Sequence, residues 1–106
     1  HLDNFLATPV FAESRFKVAV GEWLICAKNK AVQWSKLKDE AKTIAEAAVT
    51  ACNSFKANVD TALRYYSRSL NLPVSSNAEQ MTKIEGSIGS NAVKWVIEER
   101  AKSLHK

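Results

Sequence analysis

Proline and glycine are scarce in this chain, at two and three residues of 106. Sheets built from short strands need turn residues every few positions and long helices do not, so the shortage argues against an all-β fold. Histidine is as rare: His1 and His105 stand at the two ends, and Cys26 and Cys52 are the only cysteines. No set of ligands with ordinary spacing is left for a metal, and two distant cysteines do not hold one alone. The chain also lacks a glycine-rich phosphate loop and a nucleophile elbow. Its apolar runs fall well short of the roughly 20 residues that a membrane-spanning helix needs. With 15 basic and 11 acidic residues the net charge is +4, a mild and scattered excess without the clustered basic footprint of a nucleic-acid binder. These absences leave an expectation of no enzyme activity, no metal, no cofactor and no nucleic-acid partner.

What the chain has is helical periodicity. Apolar residues make up 46% of the sequence, enough for a modest core in one domain spanning residues 1–106. Residues 1–8 read as an irregular arm. Thr8 then caps a helix whose first position is Pro9, where the missing proline N–H costs nothing. From there to Leu70 the chain holds no further proline and one glycine, Gly21. Apolar or small residues recur in steps of three and four: Phe16, Val20, Trp23, Ala27, Ala31 and Trp34, then Leu37, Ala41, Ile44, Ala48, Cys52, Phe55, Val59, Ala62, Tyr66 and Leu70. Such a run is either one very long helix or two helices joined by a tight turn. Polar residues gather at Ser35–Glu40, and a reversal there sets Cys26 beside Cys52 on antiparallel helices, close enough for a disulfide. The competing reading is two unpaired core cysteines.

Beyond a loop at Asn71–Ser75, Ser76 and Glu79 form a capping-box pattern ahead of Met81, Ile84 and Ile88. Gly86 and Gly89 interrupt this third segment, and Ser90-Asn91 restarts a fourth carrying Val93, Trp95, Val96, Ile97 and Leu104. The predicted fold is all-α: an up-and-down helical bundle with two long antiparallel helices and two shorter C-terminal ones.

The first helix carries a second apolar row. Phe11, Val18, Ile25 and Val32 lie seven apart and fall nearly opposite the main stripe at about 100° per residue. Either the C-terminal helices cover this row, or it stays partly exposed as a surface for a partner, a membrane or a second copy. Among the basic residues, Lys28, Lys30, Lys36, Lys38 and Lys42 gather at the hairpin end, diluted by Asp39 and Glu40. Arg64 and Arg68 stack one turn apart, and the hairpin brings Arg15 and Lys17 near them. That second group is either a patch facing a polyanion or ordinary solvated surface. Asp60–Arg64 and Glu98–Lys102 read as i,i+4 ion pairs. The chain starts at His1 and not at Met, which we read as the loss of a signal peptide or other upstream segment.

The series Pro9-x-Phe11-x-x-x-x-Phe16-x-Val18-Ala19-Val20, then Leu24-Ile25 and Val32-x-Trp34, resembles the opening helix of abalone sperm lysin and its fusogenic acrosomal paralogue. A long second helix ending before Leu72-Pro73-Val74, and a next one with Met81, Ile84 and Ile88, extend the resemblance over residues 9–97. The chain departs from that pattern in its two cysteines, a shorter second helix, an earlier end and a weaker basic character. The resemblance implies a bundle secreted into the acrosomal vesicle that binds egg vitelline-envelope glycoprotein, opens the envelope without cleaving bonds and can dimerise. Arg15, Lys17, Arg64 and Arg68 are then the polar contacts, and Phe11, Val18, Ile25 and Val32 the apolar or dimer contacts. Two further expectations are a membrane-active fusogen using the same first helix, and a secreted carrier of an apolar ligand.

Overall fold

Thr8 adopts extended backbone (φ −72°, ψ 147°), and its hydroxyl oxygen accepts a hydrogen bond from the Phe11 N–H at 3.4 Å. This is the start that Thr8-Pro9 predicts. In the computed structural model, which describes residues 8–104, helix α1 runs Pro9–Trp34. The arm before Thr8 and both histidines lie outside the described residues. Helix α1 ends where Ser35 turns its hydroxyl back to donate to the Val32 carbonyl at 2.7 Å. The chain reverses over residues 35–40 and returns as α2 (Ala41–Ala51) and α3 (Asn53–Ser69). A short 3₁₀ turn, Val74–Ser76, leads into α4 (Asn77–Leu104). Helices pack on helices and the described residues hold no strand, so the all-α bundle expected from the periodicity is the fold.

Cys26 and Cys52 are joined by a disulfide, with their Cα atoms 6.1 Å apart. The two unpaired thiols considered above are therefore excluded. A cross-link enclosing a loop of this length stabilises by about 3 kcal/mol, on a model in which it chiefly restricts the unfolded chain. The returning rod differs from the expected single long helix. At Cys52 the backbone opens to φ −102°, ψ 26°, its N–H bonds Val49 O, and its own carbonyl accepts from Phe55 N–H at 3.0 Å. These i to i+3 bonds tighten one turn and separate α2 from α3 at the residue tied to α1.

Asn71 stops α3. It is the one described non-glycine residue with positive φ (57°), in the left-handed region that Asn tolerates better than most side chains. Its N–H bonds Arg68 O while Leu72 N–H reaches Ser67 O at 2.9 Å, a Schellman ending. The seam to the next helix is polar, for Ser67 Oγ donates to Asn77 Oδ1 at 2.8 Å between two buried residues. Ser76 stands just before α4, where the capping pattern puts it, with its hydroxyl donating to Pro73 O.

The two shorter C-terminal helices are in fact one helix of 28 residues. Each glycine weakens a helix by about 1 kcal/mol relative to alanine. Met81, Ile88, Ala92 and Val96 nevertheless bury one continuous stripe across Gly86 and Gly89, and that packing outweighs the local cost. The core joins Trp23, Ala27 and Ala31 of α1 to Ile44, Ala48 and Val49 of α2, Val59 and Leu63 of α3, and Ile88, Ala92 and Val96 of α4.

Arg100 locks the hairpin end. From α4 it donates Nε–H to Ser35 O at 2.9 Å, and Nη2 to Leu37 O at 2.7 Å and Asp39 O at 2.6 Å. Carbonyls left over at the end of α1 and in the reversal thus meet a charged donor from the other terminus of the fold. The expected pair Glu98–Lys102 is replaced by Lys102–Glu99 at 3.6 Å, one turn of helix away.

Two stability changes follow. Arg100→Ala removes three charge-assisted hydrogen bonds from a half-buried site and should cost about 2 kcal/mol, a fall of about 10 °C in melting temperature. Arg100→Lys, which lacks the planar fork, should recover less than half of that loss. Conversely, a Cβ built on Gly86 or Gly89 meets no atom within 4 Å, and neither has positive φ. Gly86→Ala and Gly89→Ala should each raise stability by about 0.5–1 kcal/mol in denaturant titrations.

Candidate recognition surface

Around α1, the neighbouring helices occupy less than the full circle. Cys26 marks the flank facing α2 and α3, and Lys28 marks the flank facing α4, its ammonium 5.9 Å from the Trp95 ring centroid. Val18 and Ile25 project between those flanks, on the side away from Trp23. Each is 60% exposed, whereas Trp23 is fully buried. Phe11 and Val32, at the ends of the same row, are half-buried. The C-terminal helix therefore does not cover the second stripe: it packs along one flank of α1 and leaves the middle of the row open. Val10, 77% exposed, adds to the apolar character of this side.

The four expected basic residues are all exposed, and they separate into two kinds. Lys17 and Arg64 are neutralised locally. Lys17 Nζ lies 2.8 Å from Glu13 Oε1, and Arg64 Nη2 lies 3.1 Å from Asp60 Oδ2, the latter as the spacing predicts. The Glu13 carboxylate, by accepting that hydrogen bond and by its charge, raises the Lys17 ammonium above the ordinary lysine value. Arg15 and Arg68 have no carboxylate within 4.0 Å among the described residues; both guanidiniums sit over the ring of Tyr65, at 5.0 and 5.9 Å from its centroid.

Tyr65, absent from the residues expected above, is the ring that both arginines share. Its signal is the doublet Tyr65-Tyr66 on an amphipathic helix. Neighbours in a helix point about 100° apart, so one of the two must leave the core. Tyr66 turns inward and lies against Phe16, ring centroids 5.8 Å apart. Tyr65 turns outward, 49% exposed, and Arg68 three residues on shares its face. The hairpin then brings Arg15 across from α1. At the opposite end, Lys28 and Lys30 lie over Trp95 and Trp34, while Lys36, Lys38 and Lys42 point to solvent without converging on a common group.

Among the described residues no three His, Cys, Asp or Glu side chains come together as a metal site, and no helix is long and apolar enough to cross a membrane. The interior is filled by Trp23, Val59, Ile88 and Val96. A groove of about 570 Å³ between α2 and α4, lined by Val49, Gly86, Gly89 and Val93, is open to solvent. No family model, curated protein or solved structure matches the chain.

The exposure of Val18 and Ile25 has a direct consequence. In Val18→Lys/Ile25→Lys the new ammonium groups stay in water, so the melting temperature should move by less than about 3 °C. Trp23→Ala, which empties a fully buried site, should cost about 3–5 kcal/mol. A collapse of the double lysine variant in thermal melts would place the row inside the core.

Proposed function

We propose that this chain is a secreted, non-enzymatic recognition protein of the lysin kind, which binds an egg-coat glycoprotein stoichiometrically and loosens the coat by occupying its contacts. The observation that carries the reading is the open Val18–Ile25 row on α1 beside the Arg15–Tyr65–Arg68 cluster, which together give one face both an apolar strip and positive charge that no described carboxylate compensates. Surfaces of this composition serve association. The Cys26–Cys52 disulfide fits an oxidising compartment such as a secretory or acrosomal vesicle. Phe11 and Val32 extend the strip at its half-buried ends; Arg64 lies one turn from Arg68 on α3, and Lys17 adds a further cation on α1, each paired with a carboxylate. The same strip is the natural place for a second copy to pair.

One alternative is favoured by a specific feature. Val10, Val18 and Ile25 project beside the exposed Lys17 and Lys28, a pattern that also suits the boundary of an anionic bilayer. A fusogenic protein would cause leakage from dye-loaded anionic vesicles, and a coat binder would not.

Stoichiometry tests the main reading. A catalyst is reused, so a small molar fraction of it eventually dissolves a whole envelope, whereas a binder stops once consumed. With a fixed amount of isolated envelope and increasing protein, dissolution should scale with the protein added and plateau below saturation. New peptide or sugar termini, or complete dissolution at a small molar fraction, would return the protein to the enzymes.

A further inference from the structure

We infer that Arg15, Tyr65 and Arg68 form a binding site for a sulfated glycan, a proposal that rests on the recognition reading and specifies the chemistry it uses. The site is built from two helices. Arg15 comes from α1, Tyr65 and Arg68 from α3, and the hairpin pinned at Cys26–Cys52 brings them together. Two like charges over one ring repel each other, and among the described residues no carboxylate within 4.0 Å compensates either of them, whereas Glu13 and Asp60 pair with Lys17 and Arg64. The ring holds the two guanidiniums through its negative face. Their N–H edges, for which no acceptor exists among the described residues, are left to bind an outside oxyanion.

A small multi-oxygen anion on a flexible chain suits this arrangement. Each guanidinium offers a planar fork that matches two oxygens of a sulfate ester, and the two forks held against one aromatic ring can take one ester each. A bilayer suits it less well, because a plane of phosphates is held by a broad basic face, and the other two cations at this end of the hairpin, Lys17 and Arg64, are already paired with Glu13 and Asp60. A duplex nucleic acid needs a continuous basic track, and here the charge is a point. Tyr65, half-exposed, leaves part of an aromatic surface open beside the cations, which a sugar ring can cover.

The probe is dextran sulfate, with uncharged dextran, phosphatidylserine vesicles and duplex DNA in parallel, measured by titration at fixed ionic strength. The wild-type chain should bind dextran sulfate, ignore dextran, and bind vesicles and DNA at least about tenfold more weakly. Arg15→Gln/Arg68→Gln should weaken dextran sulfate binding by about tenfold or more. Lys42→Gln/Lys94→Gln, which removes the same net charge from exposed positions elsewhere, should change it less than about twofold. The decisive pair leaves charge untouched: Tyr65→Leu should weaken binding several-fold by releasing the guanidiniums, and Tyr65→Phe, which keeps the ring, should not. All these positions are exposed, so unchanged thermal melts confirm that the variants fold. Equal losses in the two double mutants, an unaffected Tyr65→Leu, vesicle or DNA binding as tight as that of dextran sulfate, or no binding to dextran sulfate would each overturn the assignment. Because no egg coat is present, loss of this site is distinguishable from failure of the coat-binding reading.

Discussion

The link between Cys26 and Cys52 sets the register on which the other features depend. Two antiparallel helices with small residues at their seam can slide past each other by a turn at little cost, since Ala27, Ala31, Ala48 and Ala62 offer few distinct knobs. A covalent tie removes that freedom. Counting away from it in both directions, Phe16 meets Tyr66 and Arg15 meets Tyr65. Towards the other end, the reversal falls where Arg100 of α4 can reach three of its carbonyls. One bond near the middle of the hairpin thus governs both the arginine–tyrosine cluster at one end and the clamp at the other.

The same tie explains why the returning rod breaks where it does. A long helix packed on a partner drifts away from its own stripe, because 3.6 residues per turn do not divide evenly into the contact period. The 3₁₀-type turn at Cys52 resets the phase. Before it, α2 shows Ile44, Ala45, Ala48 and Val49 to the core; after it, α3 shows Val59, Ala62 and Leu63. Helix α4 leans mainly on α2 and α1 and less on α3, and the ion pair Lys56–Glu85 at 2.6 Å bridges α3 to α4. This uneven support leaves the middle of α1 bare at Val18 and Ile25.

Much of the scaffold was legible in the sequence because it is written in local rules. Thr8-Pro9, the polar run at 35–40 and the cysteines whose midpoint falls within that run each carry a physical meaning readable from the chain, and the structure realises all three. The break at Cys52 was hidden because its cause is the tertiary tether, and the periodicity passes through it unaltered. The unbroken α4 was hidden for the opposite reason: Gly86 and Gly89 are locally unfavourable, and only long-range packing of Ile88 and Ala92 overrides them. Arg100 and Tyr65 illustrate a third limit. A clamp onto carbonyls more than sixty residues away, and a ring shared by arginines from two helices, leave no trace in the spacing of one segment. The Tyr65-Tyr66 doublet at least announced that one ring had to face outward.

Magnitudes also constrain how the exposed face can work. Covering Val18 and Ile25 fully would contribute about 2–4 kcal/mol, by the usual value for a buried aliphatic side chain and allowing for the part each already buries. Association into a complex costs about 4–15 kcal/mol in lost translational and rotational freedom. The apolar row alone therefore cannot hold a partner, and a dimer joined only through its two open positions would be transient. The arginine cluster alone faces the opposite difficulty, since exposed charge contacts are weakened by water and salt. A partner that engages both at once gains the directional oxyanion bonds at Arg15 and Arg68 and the desolvation of the aliphatic strip, and the strip in turn excludes water beside those bonds. An extended polyanionic glycoprotein can span the two, because Arg15 and Val18 lie one turn apart on the same helix. That adjacency, and not the size of either feature, is what the proposed recognition by α1 depends on.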